Sequence, residues 1–359
     1  MTHHTEVLII GGGFAGVAVA QTLEKQGVST LLVDKKDYFE VTFATLRNIT
    51  APDKTKNQAR KHYADFLKGR FIQSSVTEMT EKSATLDDGS SITFDYGVIA
   101  SGTRYPSMPL AKTASAMDIR SRNQELQDYH KQLNAAESIL VIGGGVVGVE
   151  LAGEIAYAMP NAKVNLAHNS DVLLNGFKPK AQQKAQQQLE ALGVNILFNR
   201  RYQAVDGQYI DTESGHTHEA DMVFQATGVL PNNTFLSTHL SHILNEHGYV
   251  SVNKRLEVIG ADTLYALGDI ADVGEAKLGY LAQEQGNYVA RSIIKKRKGK
   301  GTKGYRRNPL MALIPVGQRQ GVVQLPFGVT TLNAVVNMKQ KDLFIGKVYK
   351  SYGTRPDGR

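Results

Sequence analysis

Short apolar runs that end in glycine form the main pattern of this chain. Residues 7–10 are uniformly apolar and few enough to make one buried parallel strand. A glycine-rich turn over residues 11–16 follows at once, and residues 17–23 then predict a helix. A second apolar run, at 31–33, ends in Asp34. The order strand, turn, helix and strand predicts a dinucleotide-binding unit at the start of the chain.

The same pattern recurs in the middle of the chain. A strand is predicted at 139–142, a second glycine-rich turn fills 143–148, and a helix is expected from 149 to about 158. The next strand, at 164–167, ends at His168. Because the two glycine turns begin 132 residues apart, we interpret them as two dinucleotide sites in one chain.

Weaker patterns predict the elements around these two units. Residues 38–47 are rich in phenylalanine and polar side chains, and we expect a loop there. Further helices are predicted at 122–134, 181–192 and 279–294. Short antiparallel strands are predicted at 71–76, 83–86 and 92–94, and another group of short strands over 194–224. Buried strands are predicted at 96–102 and 263–269.

These elements divide the chain into three predicted domains. The first is discontinuous and comprises 1–112 and 247–300, the second comprises 113–246, and the last comprises 301–359. Alternating apolar and polar residues over 308–359 favour a small final domain rich in β-structure. The predicted fold class is α/β, with two Rossmann-like dinucleotide-binding domains and a small α+β C-terminal domain.

The spacing of the glycines explains what each turn could bind. Gly11 permits a tight turn, Gly13 lets a pyrophosphate approach the backbone, and Gly16 lets the helix lie close to the strand. The helix N-terminus adds unpaired N–H groups for the phosphates. Asp34 lies 23 residues after Gly11, where its carboxylate would bind a ribose diol. The same spacing recurs at Gly143, Gly145 and Gly148.

The composition limits the chemistry. The chain has 359 residues, a net charge of +7 and no cysteine. Without cysteine it can form no disulfide relay and no thiolate-ligated zinc or iron–sulfur site, and we predict no metal centre. No apolar run approaches the roughly 18 residues that a membrane helix needs.

A basic segment and the first residues bear on where the protein acts. Residues 295–307 contain eight Lys or Arg separated by glycines, which predicts a flexible, solvated loop. We expect this loop to contact anionic membranes peripherally and to bind no specific nucleic acid. Residues 1–6 lack the Lys or Arg of a signal peptide, so we expect a cytoplasmic protein with membrane association at most.

Several segments together carry a family resemblance. The two glycine turns and the segments 100–102, 226–228 and 263–269 resemble the two-dinucleotide-binding-domain flavoproteins of the pyridine nucleotide-disulfide oxidoreductase superfamily. The resemblance implies their glutathione-reductase-like fold. It is closest to the apoptosis-inducing-factor-like branch, with the ferroptosis-suppressor NAD(P)H:quinone oxidoreductases, in segments 143–150, 252–260, 265–273, 280–282 and 341–344.

The resemblance implies FAD in the first domain, NADH or NADPH in the second, and a quinone of the ubiquinone or menaquinone type as acceptor. Hydride would pass from NAD(P)H to flavin N5, and two electrons would then pass to the quinone. Glu150 resembles the glutamate that orients the nicotinamide, and Lys339 and Phe344 resemble active-site residues near the quinone. Asp269 resembles the residue that binds the ribityl–pyrophosphate part of FAD.

The implied binding residues form two sets. Those for FAD are Gly11, Gly13, Phe14, Ala15, Gly16, Asp34, Lys35, Arg47, Ala100, Ser101, Gly102, Asp269 and Gln283. Those for NAD(P)H are Gly143, Gly145, Val146, Val147, Gly148, Glu150, His168, Thr227 and Gly228. The chain departs from its relatives at His168, where NADH-specific enzymes often carry an acid, so we expect both nucleotides to be accepted.

Two other functions stay open at this point. A reductase that passes electrons from NADH to ferredoxin or rubredoxin would suit the +7 charge, because such partners are acidic. A nucleotide-dependent binding protein with incidental redox activity would instead use its basic segment on nucleic acid. Disulfide and sulfide reductases are excluded because their chemistry needs cysteine.

Overall fold

Two sheets, each with a parallel core, carry the two glycine-rich turns at the carboxyl ends of their central strands. The computed structural model describes residues 2–356. Its strands, in chain order, are β1 Thr2–Ile10, β2 Thr30–Asp34, β3 Tyr38–Glu40, β4 Arg60–His62, β5 Arg70–Gln73, β6 Val76–Met79, β7 Ser83–Leu86, β8 Ser91–Ile99, β9 Thr103–Arg104, β10 Ser138–Ile142, β11 Lys163–Ala167, β12 Asn195–Leu197, β13 Tyr202–Val205, β14 Gln208–Asp211, β15 Thr217–His218, β16 Met222–Gln225, β17 Leu230–Pro231, β18 Val250–Ser251, β19 Leu264–Ala266, β20 Ala271–Asp272, β21 Ala312–Val316, β22 Gln320–Leu325 and β23 Gly328–Thr330.

The α-helices cover the sheets and connect them. They are α1 Phe14–Glu24, α2 Thr45–Thr50, α3 Pro52–Thr55, α4 Ile119–Ala135, α5 Val146–Ala158, α6 Pro179–Ala191, α7 Gly279–Arg297, α8 Asn333–Gln340 and α9 Ile345–Ser351. None of these helices is both long enough and apolar enough to span a bilayer.

The first sheet has the strand order β5, β2, β1, β8, β7, β6, and β19 pairs with the second half of β8. Strands β5, β2, β1, β8 and β19 run parallel, whereas β6 and β7 form an antiparallel extension. Val7, Leu8 and Ile9 of β1 are fully buried, because they pack in one apolar core with side chains of α1, α7 and α9. On one face α1 lies along α7, where Gly286 faces the backbone of Ala15.

The second sheet repeats this arrangement with the order β12, β11, β10, β16, all parallel. Helices α4, α5 and α6 contribute buried apolar side chains to its core. The confirmed fold class therefore follows from the sequence repeat: each glycine turn is preceded by a buried strand and followed by a helix.

The last segment connects the two cores. Strands β21, β22 and β23 form an antiparallel sheet, and Ile314 and Val316 of β21 pack in the same apolar core as Leu151 of α5. Val348 and Tyr349 of α9 instead pack in the core of the first sheet. Because one short segment supplies side chains to both cores, it fixes how the two sheets sit relative to each other.

Several predicted elements need correction. The expected loop at 38–47 is wrong: it contains β3, a 3₁₀ turn at Thr42–Ala44 and the start of α2, and it is ordered because Tyr38, Phe39 and Arg47 are buried. The strand expected near 71–72 pairs parallel with β2, since the chain reaches it by a crossover and not by a hairpin. The two strands expected at 92–94 and 96–102 are one strand, β8.

Two predictions near the end of the chain were also incomplete. Residues 295–297 of the expected basic loop belong to the last turn of α7, where cationic side chains suit the negative helix end. The expected β-rich segment 308–359 also contains α8 and α9. The domain boundaries remain predictions, and residue 1 and residues 357–359 of the predicted first and last domains lie outside the described residues.

Candidate functional site

The two glycine turns share one geometry. Gly11 has φ +102°, and a Cβ there would lie 2.4 Å from the carbonyl oxygen of Ala100. Gly143 has φ +114°, and its Cβ would lie 2.8 Å from the carbonyl oxygen of Ala226. These positions therefore require glycine. The segments 100–102 and 226–228, which the sequence placed in the two sites, do lie against their respective turns.

Open space lies in front of each turn. A Cβ on Gly13 or on Gly145 would meet no heavy atom within 4 Å, and each of these residues immediately precedes its helix. A bare helix N-terminus with room in front of its N–H groups fits a pyrophosphate. The residues present therefore fit two dinucleotides, with Phe14, Ala15 and Gly16 at the first helix start and Val146, Val147 and Gly148 at the second.

Asp34 and His168 occupy equivalent places with different chemistry. The backbone N–H of Gly12 donates to Asp34 Oδ2 at 2.6 Å, and that of Gly144 donates to His168 Nδ1 at 3.1 Å. Because Nδ1 accepts, the imidazole is neutral and carries its proton on Nε2. Burial also lowers the pKa of His168. Its Nε2 atom is buried and has no hydrogen-bond partner among the described residues.

Asp269 lies in a 3₁₀ turn, Gly268–Ile270, that follows β19. Its Oδ2 accepts hydrogen bonds from Lys112 Nζ at 2.8 Å and from Thr103 Oγ1 at 3.1 Å. Burial alone would raise the pKa of this carboxyl, but the Lys112 ammonium and these hydrogen bonds hold the pKa below its usual value. Asp269 is therefore an anion at neutral pH.

The glutamine that supports this turn is Gln285, while Gln283, which the family resemblance implies for FAD, has a different partner. The buried Gln285 accepts from the backbone N–H of Gly268 at 2.8 Å, whereas Gln283 donates to Ser351 Oγ at 2.9 Å. Both residues lie on α7, but they are two positions apart and their side chains therefore point to different sides of the helix. Sequence reasoning also missed Lys112, which precedes a polar loop and carries no motif that could have identified it.

Ser101 connects the two sheets. Its Oγ donates to the carbonyl oxygen of Asn232 at 2.7 Å, and Asn232 Nδ2 donates to the carbonyl oxygen of Ser101 at 2.8 Å. The adjacent strands β9 and β17 pair antiparallel. Gly102 and Gly228 both have positive φ. The two segments that follow the sheets are thus hydrogen-bonded to each other.

Glu150 and Lys339 meet directly. Lys339 Nζ lies 3.0 Å from Glu150 Oε1 and also donates to the carbonyl oxygen of Leu313 at 3.0 Å. The same ammonium lies over the ring of Phe43, 5.5 Å from its centroid. Both charged side chains are more than nine-tenths buried. Burial raises the pKa of Glu150, and the neighbouring ammonium only partly offsets this.

A second ion pair adjoins the first. Arg47 Nε donates to Glu154 Oε1 at 3.0 Å, and Arg47 Nη1 donates to the carbonyl oxygen of Gln340 at 2.9 Å. Glu154 lies one helical turn after Glu150 on α5, and Gln340 directly follows Lys339 on α8. The guanidinium predicted to bind FAD thus has partners within the protein. We call Glu150, Glu154, Arg47, Lys339 and Gln340 the charged ring.

Other predicted residues are placed as follows. Phe344 stands before α9 with φ +57°, and its ring lies beneath the ammonium of Lys347 at 5.2 Å. The aromatic ring under Lys339 is that of Phe43, which stacks on Phe14 at 5.6 Å. The side chain of Lys35 is exposed, and partial desolvation by its neighbours lowers its pKa. Thr227 lies beside Gly143, with its Cγ2 2.9 Å from where a Cβ would stand.

Comparisons with known proteins show the family of this chain. A family model described as "Pyridine nucleotide-disulphide oxidoreductase" matches residues 5–286. Ferroptosis suppressor protein 1 of Taeniopygia guttata is 29% identical, over 97% of this chain and 95% of the relative. Apoptosis-inducing factor homolog A of Dictyostelium discoideum is 30% identical, over 89% and 84%. The resemblance found in the sequence is confirmed.

Solved structures share the fold at low identity. NDH2 from Plasmodium falciparum in complex with NADH has a TM-score of 0.78 at 14% identity, covering 97% of this chain and 98% of its own. The sulfide:quinone oxidoreductase of Aquifex aeolicus has a TM-score of 0.79 at 17% identity, covering 99% and 92%.

The Glu150–Lys339 pair gives a prediction about stability. Lys339→Met should lower the free energy of unfolding by about 3–5 kcal/mol at neutral pH, because it leaves Glu150 buried without its cation. The Glu150 pKa in the folded variant should then lie above the unfolded value. Stability should therefore fall as the pH rises above 4.5, the ordinary glutamate pKa. Urea unfolding between pH 4 and 8 measures this.

The double variant Lys339→Met/Glu150→Gln is the control for that experiment. It removes both charges and should recover most of the lost stability and flatten the pH dependence. Equal pH slopes for the wild type and for Lys339→Met would contradict the assignment.

Proposed function

Because this chain belongs to the pyridine nucleotide-disulphide oxidoreductase family, we propose that it is an FAD-dependent NAD(P)H:quinone oxidoreductase. When bound, FAD supplies the redox chemistry, taking a hydride from NAD(P)H and passing two electrons to the quinone. The chain has no cysteine, so no protein disulphide can carry electrons between them. The names of two structural neighbours include a quinone and NADH, which supports both substrates.

The observation that carries the proposal is the buried ammonium of Lys339. An ammonium has three N–H donors, and within the described part of the chain Glu150 and the Leu313 carbonyl take two of them. The third can donate to a quinone carbonyl oxygen as negative charge develops there. Because the site is buried, such a hydrogen bond acts without competition from water. The Phe43 ring beside the ammonium offers an apolar contact.

The remaining roles follow from position. The first glycine turn, Asp34 and Asp269 would hold FAD, and the second glycine turn with His168 would hold NAD(P)H. Glu150 is buried on α5, four residues after the first helical residue, Val146, and its carboxylate would orient the nicotinamide carboxamide. No protein group needs to act as a nucleophile. The protein contributes binding, orientation and electrostatics.

Separate half-reactions test this function. In stopped-flow experiments, Lys339→Met should slow reoxidation of the reduced enzyme by a ubiquinone by roughly 10–1000-fold. Glu150→Gln should mainly slow reduction by NADH, since Gln can still accept the hydrogen bond from Lys339. The exposed neighbour Lys341 supplies the matched control Lys341→Met, which should leave both rates unchanged.

Two results would overturn the proposal. Reoxidation of the Lys339→Met variant at the wild-type rate would show that Lys339 does not act in the reduction of the quinone. Faster reduction of ferredoxin than of quinone by the wild-type enzyme would show that the proposed acceptor, a quinone, is wrong.

We also propose that both nicotinamide nucleotides are substrates. His168 is neutral and cannot repel a 2′-phosphate, and the backbone N–H of Arg200 donates to the His168 carbonyl oxygen at 2.9 Å. The side chain of Arg200 is paired with Asp211 at 2.9 Å, while that of Arg201 is exposed. Sequence reasoning missed these arginines because they are 32 and 33 residues from His168.

The preference between NADH and NADPH should therefore stay below about a hundredfold in kcat/KM, roughly 2.7 kcal/mol. His168→Glu should shift the preference toward NADH, because its carboxylate repels a 2′-phosphate. The exposed His216 in the same domain supplies the control His216→Glu. Strict specificity of the wild type for one nucleotide would refute this prediction.

We further propose that residues 295–307 contact anionic membrane surfaces, where a quinone would be dissolved. Lys296 donates to the Asp262 carbonyl oxygen and Arg297 pairs with Glu6, which leaves the charges after residue 297 for lipid. Each of these contributes on the order of 1 kcal/mol near such a surface at low salt.

Vesicle flotation tests the membrane contact. The wild type should float with anionic vesicles at low salt. With neutral vesicles it should stay at the bottom of the gradient. Replacing Lys298, Lys300 and Lys303 by Gln should reduce flotation, whereas the same change at three exposed lysines elsewhere, Lys25, Lys56 and Lys82, should not. Equal flotation with both vesicle types would contradict the proposal.

A further inference from the structure

We infer that Arg47, Glu154 and Gln340 are positioning residues, which hold the Lys339 ammonium at the place where the acceptor is reduced. The inference rests on the proposed function, in which Lys339 acts on the quinone. It assigns to Arg47 a role other than the FAD contact that the family resemblance implies.

The guanidinium of Arg47 fixes the position of α8. Two of its nitrogen atoms contact Glu154 Oε1, and two contact Gln340, one at the backbone carbonyl and one at the side-chain oxygen. Such a planar, multiply bonded contact specifies orientation as well as distance. Because Gln340 directly follows Lys339, the same contact sets the place of Lys339 along and around the helix.

Gln340 is in turn held from the other side. Its Nε2 donates to the carbonyl oxygen of Gly317 at 2.9 Å and to that of Gln320 at 2.6 Å. Gly317 lies in the turn between β21 and β22, and Gln320 is the first residue of β22. Every donor and acceptor of the Gln340 side chain therefore has a partner, and the residue cannot rotate without losing buried hydrogen bonds.

The contacts close into a circuit through two helices. Glu150 and Glu154 lie four residues apart, on the same face of α5. Arg47 joins Glu154 to Gln340, and Lys339 joins the neighbouring position of α8 back to Glu150. A shift of α8 relative to α5 would stretch both ion pairs at once, so the two pairs together define one position of the ammonium.

The charges of the circuit balance. Arg47 and Glu154 are about 5% exposed, and Lys339 and Glu150 are below 10%. Two cations face two carboxylates, so no net charge is buried. Removing one member leaves an unpaired charge and is strongly destabilising, whereas removing an oppositely charged pair is tolerated. This difference allows position and stability to be tested separately.

The test compares Arg47→Met with the double variant Arg47→Met/Glu154→Gln. The single variant should have a lower melting temperature, and the double variant should recover most of the loss. The recovered double variant should still be reduced by NADH at close to the wild-type rate. Its reoxidation by ubiquinone should be slower by roughly 10–100-fold, with a higher KM for the quinone, because the ammonium is misplaced.

A control and a second measurement separate position from stability. Arg122 is also fully buried and pairs with Glu40 and Glu125, so Arg122→Met should lower the melting temperature but leave reoxidation per folded enzyme unchanged. Acylation of lysines, followed by mass spectrometry, reports on Lys339 without any turnover. The Lys339-to-Lys341 labelling ratio should be low in the wild type and rise several-fold in the double variant.

The outcomes are distinct. A double variant with recovered stability, wild-type reoxidation and unchanged labelling of Lys339 would overturn the inference. A wild type that quinone does not reoxidise would overturn the proposed function itself. In that case, a raised Lys339 labelling ratio in the double variant would still support the positioning contact, and an unchanged ratio would reject it.

Discussion

Four ionisable side chains are buried together where α2, α5 and α8 meet, and they must neutralise one another there. Glu150, Glu154, Arg47 and Lys339 come from three regions far apart in the chain. Each buried charge would cost several kcal/mol alone. The packing of the last segment against the two sheets is therefore tied to charge balance as well as to apolar contact.

The two nucleotide sites show how one backbone geometry carries two chemistries. Each glycine turn donates a backbone N–H to a side chain at the end of the neighbouring strand, Asp34 at the end of β2 in the first site and His168 directly after β11 in the second. In the first site that residue is a carboxylate, and in the second it is a neutral imidazole. The backbone arrangement can stay constant because carboxylate and Nδ1 are both acceptors. What differs is the charge at this position, which in dinucleotide-binding folds bears on the choice between a ribose 2′-hydroxyl and a 2′-phosphate.

Local features were predictable from the sequence and contacts between distant residues were not. The glycine turns follow from spacing, because only glycine tolerates φ +102° beside a carbonyl oxygen. Helix α2 has six residues, too few to show a periodicity, so its region was expected to be a loop. Lys112 and Phe43 act through partners far away in the chain, Asp269 and Lys339. The partnership of Arg47 with Glu154 spans 107 residues, and no local pattern encodes it.

The charged ring also has a consequence for how the chain folds. Its contacts join residues separated by 189 positions, in Lys339–Glu150, and by 293 positions, in Arg47–Gln340. The entropy cost of closing such loops grows only slowly with their length, but long-range contacts form late and slow the folding rate. The two sheets can assemble from earlier parts of the chain while Glu150 and Glu154 remain hydrated. The charged ring is thus completed only when the final helices dock, and until then the carboxylates of α5 keep their water in place of a protein cation.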